Sequence, residues 1–95
     1  MLRLGWDEAK NIANKRKHRV TFEEAETVFY DERAVLIQDD DPRREDRHVL
    51  IGLSAALRVL VVCHTYRRQE QVIRLISARR ANQAERGDYE NRWRR

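Results

Sequence analysis

Residues 57–66 read LRVLVVCHTY, and this stretch decides the fold. Val59, Leu60, Val61 and Val62 run on without a turn residue, a β-branched density that suits a strand better than a helix. Strand alternation puts Leu57, Val59, Val61 and Cys63 on one face and Arg58, Leu60, Val62, His64 and Tyr66 on the other. The first face is expected to be core. The second is expected to be open, half apolar and polar at its end, since an antiparallel sheet can leave one face to water. Working outward, Ala34 to Gln38, Arg47 to Leu53 and Gln71 to Ser77 are also rich in Val, Ile and Leu. An acidic loop, Asp39 to Asp46, and two short turns divide these segments into an antiparallel meander.

Helical periodicity flanks the meander. Asp7 is placed to cap a first helix, with Ala9, Ile12 and Ala13 as its narrow apolar stripe, ending near His18. Thr21-Phe22-Glu23-Glu24 reads as a capping box: Thr21 serves the amide three residues on and Glu24 reaches back. Phe22, Ala25, Val28 and Phe29 form that second helix's buried face, with Val20 stapled against Ala25. After Arg80 a last helix begins at the weaker capping pair Asn82 and Glu85. It is polar nearly all round, with Tyr89 and Trp93 on one side and Gly87 weakening it by about 1 kcal/mol. The order predicts an α+β fold: two N-terminal helices on a four-stranded antiparallel sheet, a C-terminal helix, and Leu2 to Trp6 able to add a short edge strand.

The chain has 95 residues, which predicts a single domain over 1–95. Its 20 basic and 16 acidic side chains leave a formal charge of +4, and all basic residues but Lys10, Lys15 and Lys17 are arginine. Arginine grips phosphate with two parallel hydrogen bonds, which lysine cannot do. The acidic excess lies before residue 49 and the basic excess after it, so the later elements are expected to build a polyanion-binding surface. The longest apolar run, Val59 to Cys63, is far short of the ~20 residues that span a bilayer, and Met1 to Lys10 lacks the apolar stretch of a signal peptide. The single cysteine, Cys63, forms no internal disulfide. The expectation is a cytoplasmic protein with no membrane partner.

Candidate chemistry rests on histidine, arginine and tyrosine. His64, at the end of a central strand, suits a general acid or base, or is a hydrogen-bonded core histidine. His48 reads as its neighbour one strand over, and His18 as a helix-terminal residue favoured by the dipole. Arg67, Arg68, Arg74, Arg79 and Arg80 gather around the last hairpin with only Glu70 between them, which points to a phosphate-gripping surface rather than scattered solvated arginines. No metal site is expected: the histidines are widely spaced, and Asp39-Asp40-Asp41-Pro42 reads as a solvated turn. No Gly-rich phosphate loop, nucleophile elbow or dinucleotide fingerprint is present, and no cofactor is implied. RNA carries its own nucleophile in the 2′-hydroxyl, which suits so sparse a site.

Trp6-Asp7, Asn14-Lys15, Lys17-His18, Val20, Phe22, Glu24-Ala25, Val28-Phe29 and Asp31 together resemble the opening of BrnT-family toxins. Ile51-Gly52, Val61-Val62 with Thr65, Ile73-Arg74, Ile76-Ser77-Ala78-Arg79, Glu85 and Tyr89 continue the resemblance over nearly the whole chain. It implies a RelE-like ribonuclease toxin of a bacterial type II toxin-antitoxin system. The implied partners are an RNA substrate and a BrnA-like ribbon-helix-helix antitoxin, with operator DNA bound only through the antitoxin complex. On that pattern Arg79 and Tyr89 match the basic and aromatic positions after the last strand, His64 a strand-end position, and Lys15 and His18 the Lys-His segment. Arg19 departs from it, standing where glycine is usual after the histidine, and so do the glycine-free hairpins at Ala55-Ala56 and Arg67-Arg68.

The resulting expectation is a metal-independent endoribonuclease that inhibits translation. A base among His64, Tyr89 and His18 takes the 2′-hydroxyl proton, and Arg79, aided by Arg74, stabilises the phosphate charge. Lys15, Arg67, Arg68, Arg74 and Arg80 bind the nucleic acid, and Tyr89 or Tyr66 can instead stack a base. A non-catalytic nucleic-acid-binding module and a protein-docking module are the alternatives.

Overall fold

In the computed structural model, which describes residues 3–38, 46–67, 69 and 71–91, two helices cover one face of a five-stranded sheet. The elements are β1 (Leu4–Gly5), α1 (Glu8–His18), α2 (Phe22–Val28), β2 (Val35–Gln38), β3 (Arg47–Leu53), β4 (Val59–Arg67), β5 (Val72–Arg80) and α3 (Gln83–Asn91). The sheet order is β1-β5-β4-β3-β2. Strands β2 to β5 are the expected antiparallel meander, but β1 runs parallel to β5, pairing Leu4 with Ile73 and Gly5 with Arg74. The sheet is therefore mixed and five-stranded, not a four-stranded antiparallel one. Most of the acidic loop, residues 39–45, lies outside the described residues, as do Arg68 and Trp93.

The face of β4 under α1 and α2 is the one expected to be open, although Val61 on the other face is buried as expected. Leu60 and Val62 are fully buried and cluster with Val20, Phe22, Ala25, Val28, Leu50, Leu75 and Ala78 under the helices. Both faces of β4 are aliphatic, so nothing local distinguishes them. The choice is made at Gly52, where an added methyl would stand 2.9 Å from Val28 Cγ1 and 3.0 Å from Ala34 Cβ. Gly52 pairs with Leu60, so α2 can press closest onto the face that carries Leu60. The other face of the sheet presents Val59, Val61, Cys63 and Thr65.

Helix α1 is also rotated from its expected orientation. Ile12 is 50% exposed and Ala9 and Ala13 face solvent, while Asn11 and Asn14 are buried. Hydrogen bonding outweighs the apolar stripe here. Asn14 Nδ2 donates to the carbonyls of Val20 (2.9 Å) and Ala78 (2.8 Å), and its Oδ1 accepts from Ala78 N (3.1 Å). Ala78 lies on β5 beyond the reach of β1, so one amide side chain stands where a neighbouring strand would. Asn11 Oδ1 accepts from Phe22 N and its Nδ2 donates to Glu23, tying α1 to the start of α2.

The caps follow the sequence with one exchange. Asp7 accepts from Ala9 N and Thr21 from Glu24 N, as expected. The Glu24 carboxylate, however, bonds Ser54 and Arg58 instead of reaching back. The weaker pair, Asn82 and Glu85, is the complete box: each backbone N–H donates to the other's side chain, at 2.9 and 2.8 Å. Arg19 adopts the left-handed conformation (φ 59°) that the glycine departure implied, at a cost of roughly 1 kcal/mol for a residue with a Cβ. Leu57 and Gln71 take positive φ in the two hairpins that lack glycine.

Candidate active site

Strand β5 contains an irregularity that organises the open face. Cys63 pairs with Ser77 but His64 pairs with Leu75, leaving Ile76 without a partner in register. Arg74 and Arg79 are five residues apart and would fall on opposite faces of a regular strand. Because of the extra residue, Arg74 sits beside Thr65 and Arg79 beside Val61, both on the face away from α1 and α2. The bulge thus aligns the two arginines.

The arginines differ in whether a carboxylate already holds them. Arg79 makes a two-pronged pair with Glu85, Nη1 to Oε1 at 2.7 Å and Nη2 to Oε2 at 2.8 Å. Its side chain remains 43% exposed. Of five guanidinium protons, the Nε–H and one on Nη2 remain for a ligand, the second on Nη1 leaning on the Arg80 carbonyl at 3.4 Å. The hydrogen bond from Arg79 is the main reason the Glu85 carboxyl is held below its usual range. Glu85 also closes the α3 cap, so the end of β5 and the start of α3 share one carboxylate. Arg58 is held by Glu24 in the same way, and its Nη2 also reaches the Arg19 carbonyl at 3.4 Å.

Tyr89 and Arg80 share a cleft of about 280 Å³ with Arg58, Arg86 and Leu53. The Tyr89 hydroxyl donates to Asp31 Oδ2 at 2.6 Å, and the same oxygen accepts from Leu53 N at 2.8 Å. Burial and the Asp31 carboxylate push the phenol up to about 12. Asp31 moves the other way. Burial, the largest single influence, raises it, but hydrogen bonds from Leu53, Tyr89 and Arg33 together hold it below its usual range. Tyr89 is therefore a neutral hydrogen-bond donor across the neutral pH range. His18 lies at the C-terminal end of α1, one turn beyond Asn14 on the same side. It precedes Arg19, whose carbonyl touches Arg58 at the wall of this cleft.

His64 is not in this group. It is 5% exposed on the helix-covered face, its ring edge-on to Phe29 (centroids 5.0 Å) and stacked on His48 (5.9 Å). Arg79 projects from the opposite face. Burial, chiefly, and the neighbouring His48 lower the His64 pKa below the ordinary 6.5, against a contact with the Val62 carbonyl that raises it. The sign follows directly. Below pH 6.5 the unfolded imidazole binds a proton that the folded one refuses, so stability present above 6.5 is lost as pH falls. Denaturant melts are expected to show lower stability at pH 5.5 than at pH 7.5 on this account. His64→Phe should remove that difference, and an equal drop in the variant would exclude His64 as its source.

Elsewhere, Lys15 lines a separate outer concavity with Ile12, Arg16 and Arg19. Arg67 and Arg74 line a second cleft at the far end of the sheet, with Lys10, Asp46, Arg47 and Thr65. Sequence reading passed over Arg47 because it follows an acidic loop; only the pairing of Arg47 with Thr65 shows that it joins Arg74. Among the described residues no three of His, Cys, Asp and Glu gather as a metal site, and no helix is long and apolar enough to cross a membrane.

Comparison with known proteins identifies the family and a similar fold. The family model described as ribonuclease toxin, BrnT, of type II toxin-antitoxin system matches residues 6–85. The crystal structure of the Brucella abortus ribonuclease toxin BrnT is similar over 87% of this chain and 100% of its own, with a TM-score of 0.68 and 25% identity. A search of curated protein sequences gave no significant match.

Proposed function

Because the chain belongs to the BrnT family of ribonuclease toxins of type II toxin-antitoxin systems, we propose that it cleaves RNA without metal at the junction of β5 and α3. Family membership implies an RNA substrate and an antitoxin partner. The observation that carries the site is Arg79, its side chain partly exposed and fixed in direction by Glu85, with Tyr89 on the same helix α3 as Glu85.

The 2′-hydroxyl oxygen attacks the adjacent phosphorus as the bond to the 5′-oxygen breaks, leaving a cyclic phosphate and a free 5′-hydroxyl. Arg79 meets the charge that grows on the phosphate oxygens, where an oriented donor is worth most. His18 takes the 2′-hydroxyl proton. Of the three groups named from the sequence, His64 is enclosed and Tyr89 holds its own proton against Asp31, which leaves His18, partly exposed at the C-terminal end of α1. Water or a second residue of the cleft returns a proton to the 5′-oxygen. Tyr89 offers its ring to a base or its hydroxyl to the backbone, while Arg67, Arg68, Arg74 and Arg80 hold flanking phosphates. The resemblance to this family supports a ribbon-helix-helix antitoxin that masks the surface and alone engages operator DNA.

The test is incubation of antitoxin-free protein with total RNA in excess EDTA. Fragments ending in a cyclic phosphate are expected from the parent. Intact RNA with EDTA and cleavage after a divalent ion is restored would overturn the metal-free mechanism. Intact RNA under both conditions would favour the non-catalytic reading.

A further inference from the structure

Arg47, Thr65 and Arg74 are consecutive partners across β3, β4 and β5, so their side chains leave the open face as one row. Neighbouring strands lie about 4.8 Å apart, which sets the two arginine backbones roughly 10 Å from each other with a hydroxyl between. Arg67 is two residues beyond Thr65 on the same face of β4, and Lys10 of α1 completes the rim. Together they line a cleft of about 270 Å³, where among the described residues the one carboxylate is Asp46.

No ion pair holds Arg47, Arg67, Arg74 or Lys10 among the described residues, in contrast to Arg58 and Arg79. Mutual repulsion among four cations is tolerable in water, and a bound anion relieves it. The site is also remote from Arg79: four residues along β4, about 13 Å, separate their partners Val61 and Thr65. One phosphate cannot occupy both places.

We propose that the Arg47–Thr65–Arg74 row, with Arg67 and Lys10, is a phosphate cradle that holds the RNA backbone away from the scissile bond. Strand and cradle then act as a two-point clamp: the cradle grips a flanking phosphate, and Arg79 receives the one that reacts. This rests on RNA being the substrate. It moves Arg74 from helping Arg79 to binding at a distance, and it adds Arg47, Thr65 and Lys10 to the interface.

Binding of a 2′-O-methyl oligonucleotide, which the enzyme cannot cleave, tests the cradle apart from the chemistry. For a single strand, each phosphate contact contributes about 0.7 to the slope of log affinity against log salt. The Arg47→Ala/Arg74→Ala double variant is expected to lose roughly 1.4 of that slope and at least tenfold in affinity near physiological salt. Arg47→Lys/Arg74→Lys keeps the charges and should keep most of the slope, which separates lost contacts from a disturbed sheet. In cleavage assays the double variant's loss should fall on KM, and that of Arg79→Ala on kcat. A double variant with the parent's affinity and salt slope overturns the cradle, whether or not the parent cleaves RNA. A parent that binds through the cradle but never cleaves overturns the nuclease reading and leaves the cradle standing.

Discussion

Cleavage by Arg79→Ala is expected to fall by roughly two to three orders of magnitude at saturating RNA, the effect of deleting one oriented donor from a charge-stabilising site. Orientation is the reason for so large an effect. Glu85 holds two of the guanidinium nitrogens, so the remaining protons already point outward before substrate arrives. Arg79→Lys restores charge but not the planar fork, and recovery should be slight. Glu85→Gln keeps the α3 cap through its amide oxygen and releases Arg79 from its ion pair, so a smaller loss, under about tenfold, is expected. These four proteins compared in one single-turnover assay decide the matter. Parental cleavage by Arg79→Ala would move the reacting phosphate elsewhere. An equal loss in Glu85→Gln would make the pair, rather than the arginine, the functional unit.

The largest effect on stability is expected at Asn14. Its side chain serves three backbone groups, Val20 O, Ala78 O and Ala78 N, all buried with it. Removing the amide leaves each unsatisfied at about 1–3 kcal/mol, less whatever water recovers. Asn14→Ala should therefore lose about 3 kcal/mol or more in chemical denaturation, a large share of the 5–15 kcal/mol typical of a domain. Asn14→Asp is the sharper test. It keeps the acceptor for Ala78 N but turns a second oxygen toward two carbonyls, so it should be at least as damaging as alanine despite its near-identical shape. An aspartate variant as stable as the parent would show that the two donated bonds contribute nothing.

What the sequence disclosed, and what it hid, follows from the range of the interactions. Strands β2 to β5 and both early helix starts were legible because alternation and capping are local. The Asn82–Glu85 box was also readable, although it proved the complete one and Thr21–Glu24 the half. The facing of β4 was not legible. Val59 and Val61 compete equally with Leu60 and Val62 until α2 packs at Gly52, a contact between residues 24 apart in sequence. The rotation of α1 was hidden for the same reason: Asn14 looks like a surface residue until its partner Ala78, 64 positions later, is in place. For the site, Arg74, Arg79, Arg80 and Tyr89 could be named from residue type and family resemblance. The placing of Arg74 and Arg79 four β4 residues apart, and of Arg47 beside Thr65, needed the strand register.

The unpaired Ile76 has a consequence for how this chain tolerates change in length. β5 behaves as two half-strands with separate inside-out parity, joined at a single surplus residue. Because Ile76 stands outside the register, losing it would close a regular ladder in which Leu75 still meets His64 and Arg74 still meets Thr65, so neither face would change its residues. The surplus residue is thus a length allowance: one codon can go at this spot while solvent and interior keep their sides. The same loss elsewhere along β5 has no such slack and would exchange the two faces beyond it.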